Sequence, residues 1–147
     1  CGKITLRHTE AVNPMLTVDQ IDVMLRMQQS MNSKVDPDWR QARYPYLRAV
    51  VIEGAEAIEH HGWKWWKKQD PDLEQVKLEL VDIWHFALSE LLRANQLRDD
   101  MGPALAELQL EDAPQPEAFR QAIEALAASS LQTQSFVLDD FARAMQG

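Results

Sequence analysis

Leu78-Glu79-Leu80-Val81-Asp82-Ile83-Trp84-His85-Phe86-Ala87-Leu88 sets two acids among apolar side chains. At about 3.6 residues per turn, those apolar side chains cover most of a helix circumference. A helix apolar nearly all round is buried in a bundle. Glu79 and Asp82 then share a narrow strip between packed faces, because positions three apart are neighbours on a helix. Upstream, Glu53-Gly54-Ala55-Glu56 repeats that spacing. Two such helices in succession predict an all-α fold, an antiparallel bundle of about four to five helices.

Nearer the N-terminus, Thr17 followed by Gln20 has the pattern of a capping box. Val18, Ile21, Met24, Leu25, Met27 and Met31 then recur at helical spacing, which predicts a first helix over Val18–Asn32. Ser33–Tyr44 reads as a loop. Pro45 suits a first helical position, so the second helix should run from Pro45 to His61 and stop at Gly62. Trp63–Gln69 reads as a loop, and Asp70 as the cap of a long helix over Pro71–Ala94. Met101–Pro116 is a connector with room for a short helix around Ala104–Leu108. Glu117–Met145 is a last, Ala-rich helical stretch with a break expected near Ser129–Ser130. Residues 1–13 show no period, and 14–147 reads as a single all-α domain whose metal-binding core spans about 45–94. A first residue of Cys rather than Met suggests a fragment or an added remnant.

Neighbouring carboxylates out of water repel. They protonate, pair with bases, or bind a cation. Lys77 is off the line of the acids, and Arg48 lies more than a turn before Glu53. Glu53, Glu56, Glu79 and Asp82 converging on divalent ions is the simplest resolution; the alternative is a structural or solvated acidic cluster. An all-oxygen set suits Mg²⁺, with Mn²⁺ as a substitute. Gly54 costs a helix about 1 kcal/mol relative to alanine, which is tolerable where another backbone or a ligand comes close.

Other residues offer recognition chemistry. His85 follows Asp82 on the same line and could hydrogen-bond a substrate, or be a satisfied core histidine. Phe86 could stack on a base or fill the core. Gly62-Trp63-Lys64-Trp65-Trp66-Lys67-Lys68 joins stacking faces to phosphate-neutralising charge, or else anchors an interface. Gln28 and Asn32, four apart on one helix face, each present a donor and an acceptor, as reading a base edge requires. His60 and His61 fit a favourable charge at a helix end.

The net charge of −8 argues against binding a nucleic-acid polymer, though not against a nucleotide held through metal ions. No run of about 18 apolar residues offers a membrane span, and no secretion signal is evident. The single cysteine excludes an internal disulfide. A cytoplasmic protein is expected.

Gln28 and Asn32 on a first helix, Glu53-x-x-Glu56, the run Gly62–Lys67, and Glu79-Leu-Val-Asp82-Ile-Trp-His85-Phe86 together resemble the dimeric, all-α dUTPases over about Leu16–Leu92. The acid pairs alone are shared with the wider all-α NTP pyrophosphatases, including MazG-like enzymes. The Trp-Lys loop and the run Asp82–Phe86 single out dUTPase. The resemblance implies hydrolysis of dUTP, with dUDP also accepted, and a homodimer. It implies Mg²⁺ on Glu53, Glu56, Glu79 and Asp82, with a glutamate such as Glu53 or Glu56 orienting the attacking water. Gln28, Asn32, Trp63 and Phe86 would face the uracil of a deoxyuridine nucleotide. His85 and Asp82 would lie near the sugar 3′-hydroxyl, and Lys64 and Lys67 near phosphate. Family members continue into a Gly-, Lys- and Arg-rich segment, whereas Ala127–Gly147 reads as a bundle helix. Two alternatives stay open: a pyrophosphatase of other base preference, and a truncated nucleotide-binding or assembly module.

Overall fold

The computed structural model describes residues 17–94, 116–133 and 138–146. Five helices are seen there and no strand: α1 (Val18–Val35), α2 (Tyr46–His61), α3 (Leu73–Arg93), α4 (Pro116–Thr133) and α5 (Leu138–Gln146). Residues 1–13 and the short helix expected at Ala104–Leu108 lie outside the described residues.

The capping box forms as the sequence predicts. Thr17 Oγ1 accepts the Gln20 N–H at 3.2 Å, and Gln20 Oε1 accepts the Thr17 N–H at 2.9 Å. Helix α1 runs on past Asn32 to Val35, because the Asp36 N–H still closes on the Asn32 carbonyl at 2.9 Å. That last turn is exposed, so it carries no apolar period to read. The loop that follows is tied down at Trp39, only 2% exposed. Arg40 lies over the Trp39 ring and donates to the Leu92 carbonyl at 2.8 Å, covering an end carbonyl of α3.

Pro45 is the N-cap of α2 rather than its first helical residue. Gly62 ends α2 as expected, in the left-handed region at φ 81°. Helix α3 starts at Leu73, and its cap is Asp72, not Asp70. The Asp72 carboxylate accepts the Gln75 N–H at 3.1 Å, while its own N–H donates to the His60 carbonyl at 2.8 Å. Asp72 therefore joins the end of one helix to the start of the next. Both serines of the expected break in the last helical stretch stay helical, returning their hydroxyls to the Leu126 carbonyl. In the described residues one helix reaches Thr133 and the next begins at Leu138.

Helices α2 and α3 form the central antiparallel pair: His60 meets Glu79 at one end, and the Tyr46 and Phe86 rings meet at the other, 6.5 Å apart. Helix α1 lies along α3, and α4 packs on α2 with Phe119, Ile123 and Leu126 in the core beside Val50 and Ala57. Phe141 of α5, fully buried, meets the Trp84 ring at 5.4 Å. Helix α3 is not buried all round. Its C-terminal half is enclosed from Ala87 to Leu92, but Leu78 and Val81 are half exposed. The described helices thus leave an apolar strip of α3 uncovered beside Met27 and Met31 of α1.

Candidate functional site

The antiparallel pairing of α2 and α3 brings carboxylates of Glu53, Glu56 and Glu79 together, with one oxygen of each within 4.8 Å of the others. Asp82, a turn beyond Glu79, is exposed and stands outside that tight group. It is still close enough for its charge to act on Glu53. Burial pushes the Glu53 carboxyl up to about 7; the charges of Glu56 and Asp82, a hydrogen bond with Glu56 and the charge of Glu79 add to this. No Lys or Arg compensates these acids among the described residues. Glu90 shows the contrast: as buried as Glu79, it is clasped by Arg93, whose Nε donates to it at 2.8 Å.

Glu79 is 3% exposed and is held from two sides. Gln75 Nε2, one turn earlier, reaches both of its oxygens at 3.1 and 3.2 Å. His60 Nδ1 lies 3.2 Å from Oε1, within ion-pair range but without hydrogen-bond geometry. Sequence reading missed both partners. The Gln75–Glu79 spacing was available as a signal. The His60 contact arises only from the tie through Asp72. His61 turns the other way, against the Phe119 ring at 4.9 Å, and burial and then Arg120 hold its pKa down.

Gly54 is explained by packing rather than by a ligand or a backbone: an added Cβ would lie 3.0 Å from Ile123 Cγ2. The missing side chain lets α4 seat against α2 directly behind the acids.

The Trp-Lys loop leaves α2 next to the acids. Trp63, Trp65 and Trp66 pack edge to face, with centroids 4.6 to 6.2 Å apart, and Trp65 is 84% exposed. Glu59 accepts from Trp63 Nε1 at 2.8 Å and from the Lys64 ammonium. Those two contacts, Lys64 first, hold the Glu59 carboxyl below its usual value. Lys67 is exposed.

Gln28 and Asn32 do not meet the acid group directly. They bind each other and then α3, Gln28 through His85 and Asn32 through Ser89. Phe86 is half-buried and packs on the core while lining, with Asn32, a mostly apolar cleft. The candidate residues thus fall in two groups, the acids with the Trp-Lys loop and the α1–α3 amides with His85 and Phe86. Asp82, one turn before His85 on α3, lies between them.

A helical bundle whose central pair brings three carboxylates together with no Lys or Arg beside them defines the class of this protein. A family sequence model described as dUTPase matches residues 20–146. The chain belongs to the dimeric, all-α dUTPase family. The match runs well past the Leu16–Leu92 span legible from motifs, taking in α4 and α5. No curated protein matches the chain.

Proposed function

We propose that this protein is a Mg²⁺-dependent dUTP diphosphatase, hydrolysing dUTP, and also dUDP, to dUMP. The observation that carries the reading is the convergence of Glu53, Glu56 and Glu79 with no Lys or Arg partner among the described residues, in a chain of the dUTPase family. The donor set fits magnesium: hard carboxylate oxygens, crowded enough to raise Glu53, gain most from a divalent cation. Glu53, Glu56 and Glu79 would hold it, with Asp82 completing the set from the exposed side. Mn²⁺ would substitute. When bound, the ion supplies Lewis acidity and offsets phosphate charge.

The chain's own residues do the rest. Glu53 or Glu56 orients the attacking water and takes its proton as the water oxygen bonds to phosphorus. The α–β phosphoanhydride breaks, and pyrophosphate leaves with the electron pair. Gln75 and His60 keep Glu79 aimed along the α2–α3 seam. Lys67, and Lys64 on exchanging Glu59 for substrate, would meet the phosphates; Phe86 would face the base, and Trp63, at the other end of the α2–α3 pair in this structure, would reach it only with movement of the Trp-Lys loop. Gln28, Asn32 and His85 would supply the polar contacts of the nucleoside half. A polar site of this kind discriminates by leaving groups unpaired when the wrong substrate binds.

The homodimer belongs to the same reading. Met27, Met31 and Val81, each at least half exposed, border an apolar cleft of about 460 Å³ between α1, α3 and α5. A second copy is the proposed cover. No helix among the described residues is long and apolar enough to cross a membrane, and a cytoplasmic setting is part of the proposal.

Pyrophosphate release with dUTP and Mg²⁺, beside dTTP, dCTP and EDTA controls, tests the reading. Metal-dependent turnover selective for dUTP is expected. Equal turnover of dTTP would move the assignment to the broader pyrophosphatase class. No turnover of any nucleotide would favour a binding module.

A further inference from the structure

The hydrogen bonds joining α1 to α3 form a closed circuit. Gln28 Nε2 donates to Asn32 Oδ1 at 2.8 Å, Asn32 Nδ2 to Ser89 Oγ at 3.0 Å, and Ser89 Oγ to the His85 carbonyl at 2.9 Å. His85 Nδ1 closes the ring, 2.6 Å from Gln28 Oε1. Which end of each amide is nitrogen follows from its partners. Two proton orders serve the amide and imidazole contacts. In one, each amide is placed as above and Nδ1 must donate, because Gln28 Oε1 only accepts. In the other, both amides are turned over, the Ser89 hydroxyl points at Asn32, and Gln28 donates to a bare Nδ1.

The two orders differ at the 2.9 Å contact between Ser89 Oγ and the His85 carbonyl. A carbonyl oxygen has no proton to give. With the hydroxyl turned toward Asn32, two oxygens would face each other at that distance. Ser89 is 2% exposed, so water does not intervene. The repulsion is left unscreened there, as for any unmade hydrogen bond in the interior. Returning a serine hydroxyl to the carbonyl four residues back is also an ordinary helical habit.

We infer that Ser89 is a positioning residue: it fixes the direction of the circuit, so that neutral His85 carries its proton on Nδ1 and presents Nε2 outward as a bare acceptor. Nε2 hydrogen-bonds none of the described residues, and the His85 side chain is exposed. The group it takes is therefore a donor, a sugar hydroxyl or a ring N–H, and not a phosphate or carbonyl oxygen. That last step rests on the nucleotide reading above; the tautomer does not.

The test uses the free, ¹⁵N-labelled protein with no nucleotide, at a pH where the imidazole is neutral. Two-bond ¹H–¹⁵N correlation reports the tautomer, and His85→Gln identifies the resonances. We expect a pyrrole-type Nδ1 and a pyridine-type Nε2. In Ser89→Ala the preference should relax to a mixture of tautomers while the helical circular-dichroism signal persists. Asn32→Ala, which cuts the same link from α1, should relax it too and serves if Ser89→Ala does not fold. A wild-type proton on Nε2, or a tautomer unchanged in the folded variants, would overturn the inference. Either result leaves hydrolysis of dUTP to be judged by its own assay.

Discussion

Glu53 is a carboxylate held at about 7, where ordinary glutamates are long since ionised. Its folded pKa is raised, so the native state holds a proton that the unfolded chain has released. Stability then falls as pH rises from about 4.5, the ordinary value, through about 7. Metal-free protein should lose melting temperature across that window, and Glu53→Gln should flatten the slope; a slope of opposite sign would contradict the account. In turnover, Glu53→Gln and Asp82→Asn should each cost at least about 100-fold with the helical spectrum intact. Normal turnover in both would remove the metal-site reading. The acids themselves were legible from spacing alone, because the three-residue interval fixes a shared helix face. The partners of Glu79 were less so: nothing in the order of residues shows that the Asp72 N–H ties His60 to the start of α3.

At the scale of elements, the helices followed from period and caps, and their ends departed where the reporting side chain was ambiguous. Asp70 and Asp72 are both good caps beside Pro71; only the geometry that also satisfies the His60 carbonyl selects Asp72. Asp72→Ala should therefore cost about 1 kcal/mol of stability, read as a lower melting temperature, whereas Asp70→Ala should be close to neutral. Gly54 makes a second test. Replacing a helix glycine gains up to about 1 kcal/mol of propensity, but a side chain there meets Ile123 at 3.0 Å. Gly54→Leu should overpack the α2–α4 contact and destabilise by about 1–3 kcal/mol. A stabilised Gly54→Leu protein would show that α4 does not seat there.

At the scale of the whole molecule, the all-α bundle was legible because a helix rich in apolar residues has few other places to go. The uncovered face was not. Leu78 and Val81 read as core from sequence, yet both stand half exposed, Val81 in the same cleft as Met27 and Met31. An apolar residue reports that it wants cover, not whether its own chain provides it. If a second copy provides it, sedimentation should give a dimer, and Met27→Glu with Val81→Glu should give monomers. A wild-type monomer at micromolar concentration would reassign that face.

On the proposed function, the α2–α3 carboxylates hold a divalent cation. Calorimetric titration of Mn²⁺ into the protein near pH 7 tests it most directly, repeated in buffers of different ionisation enthalpy. Saturable binding is expected, weakened by Glu53→Gln, with proton release that shrinks as the pH is raised above about 7. Absence of saturable binding, or binding that Glu53→Gln leaves unchanged, would contradict it.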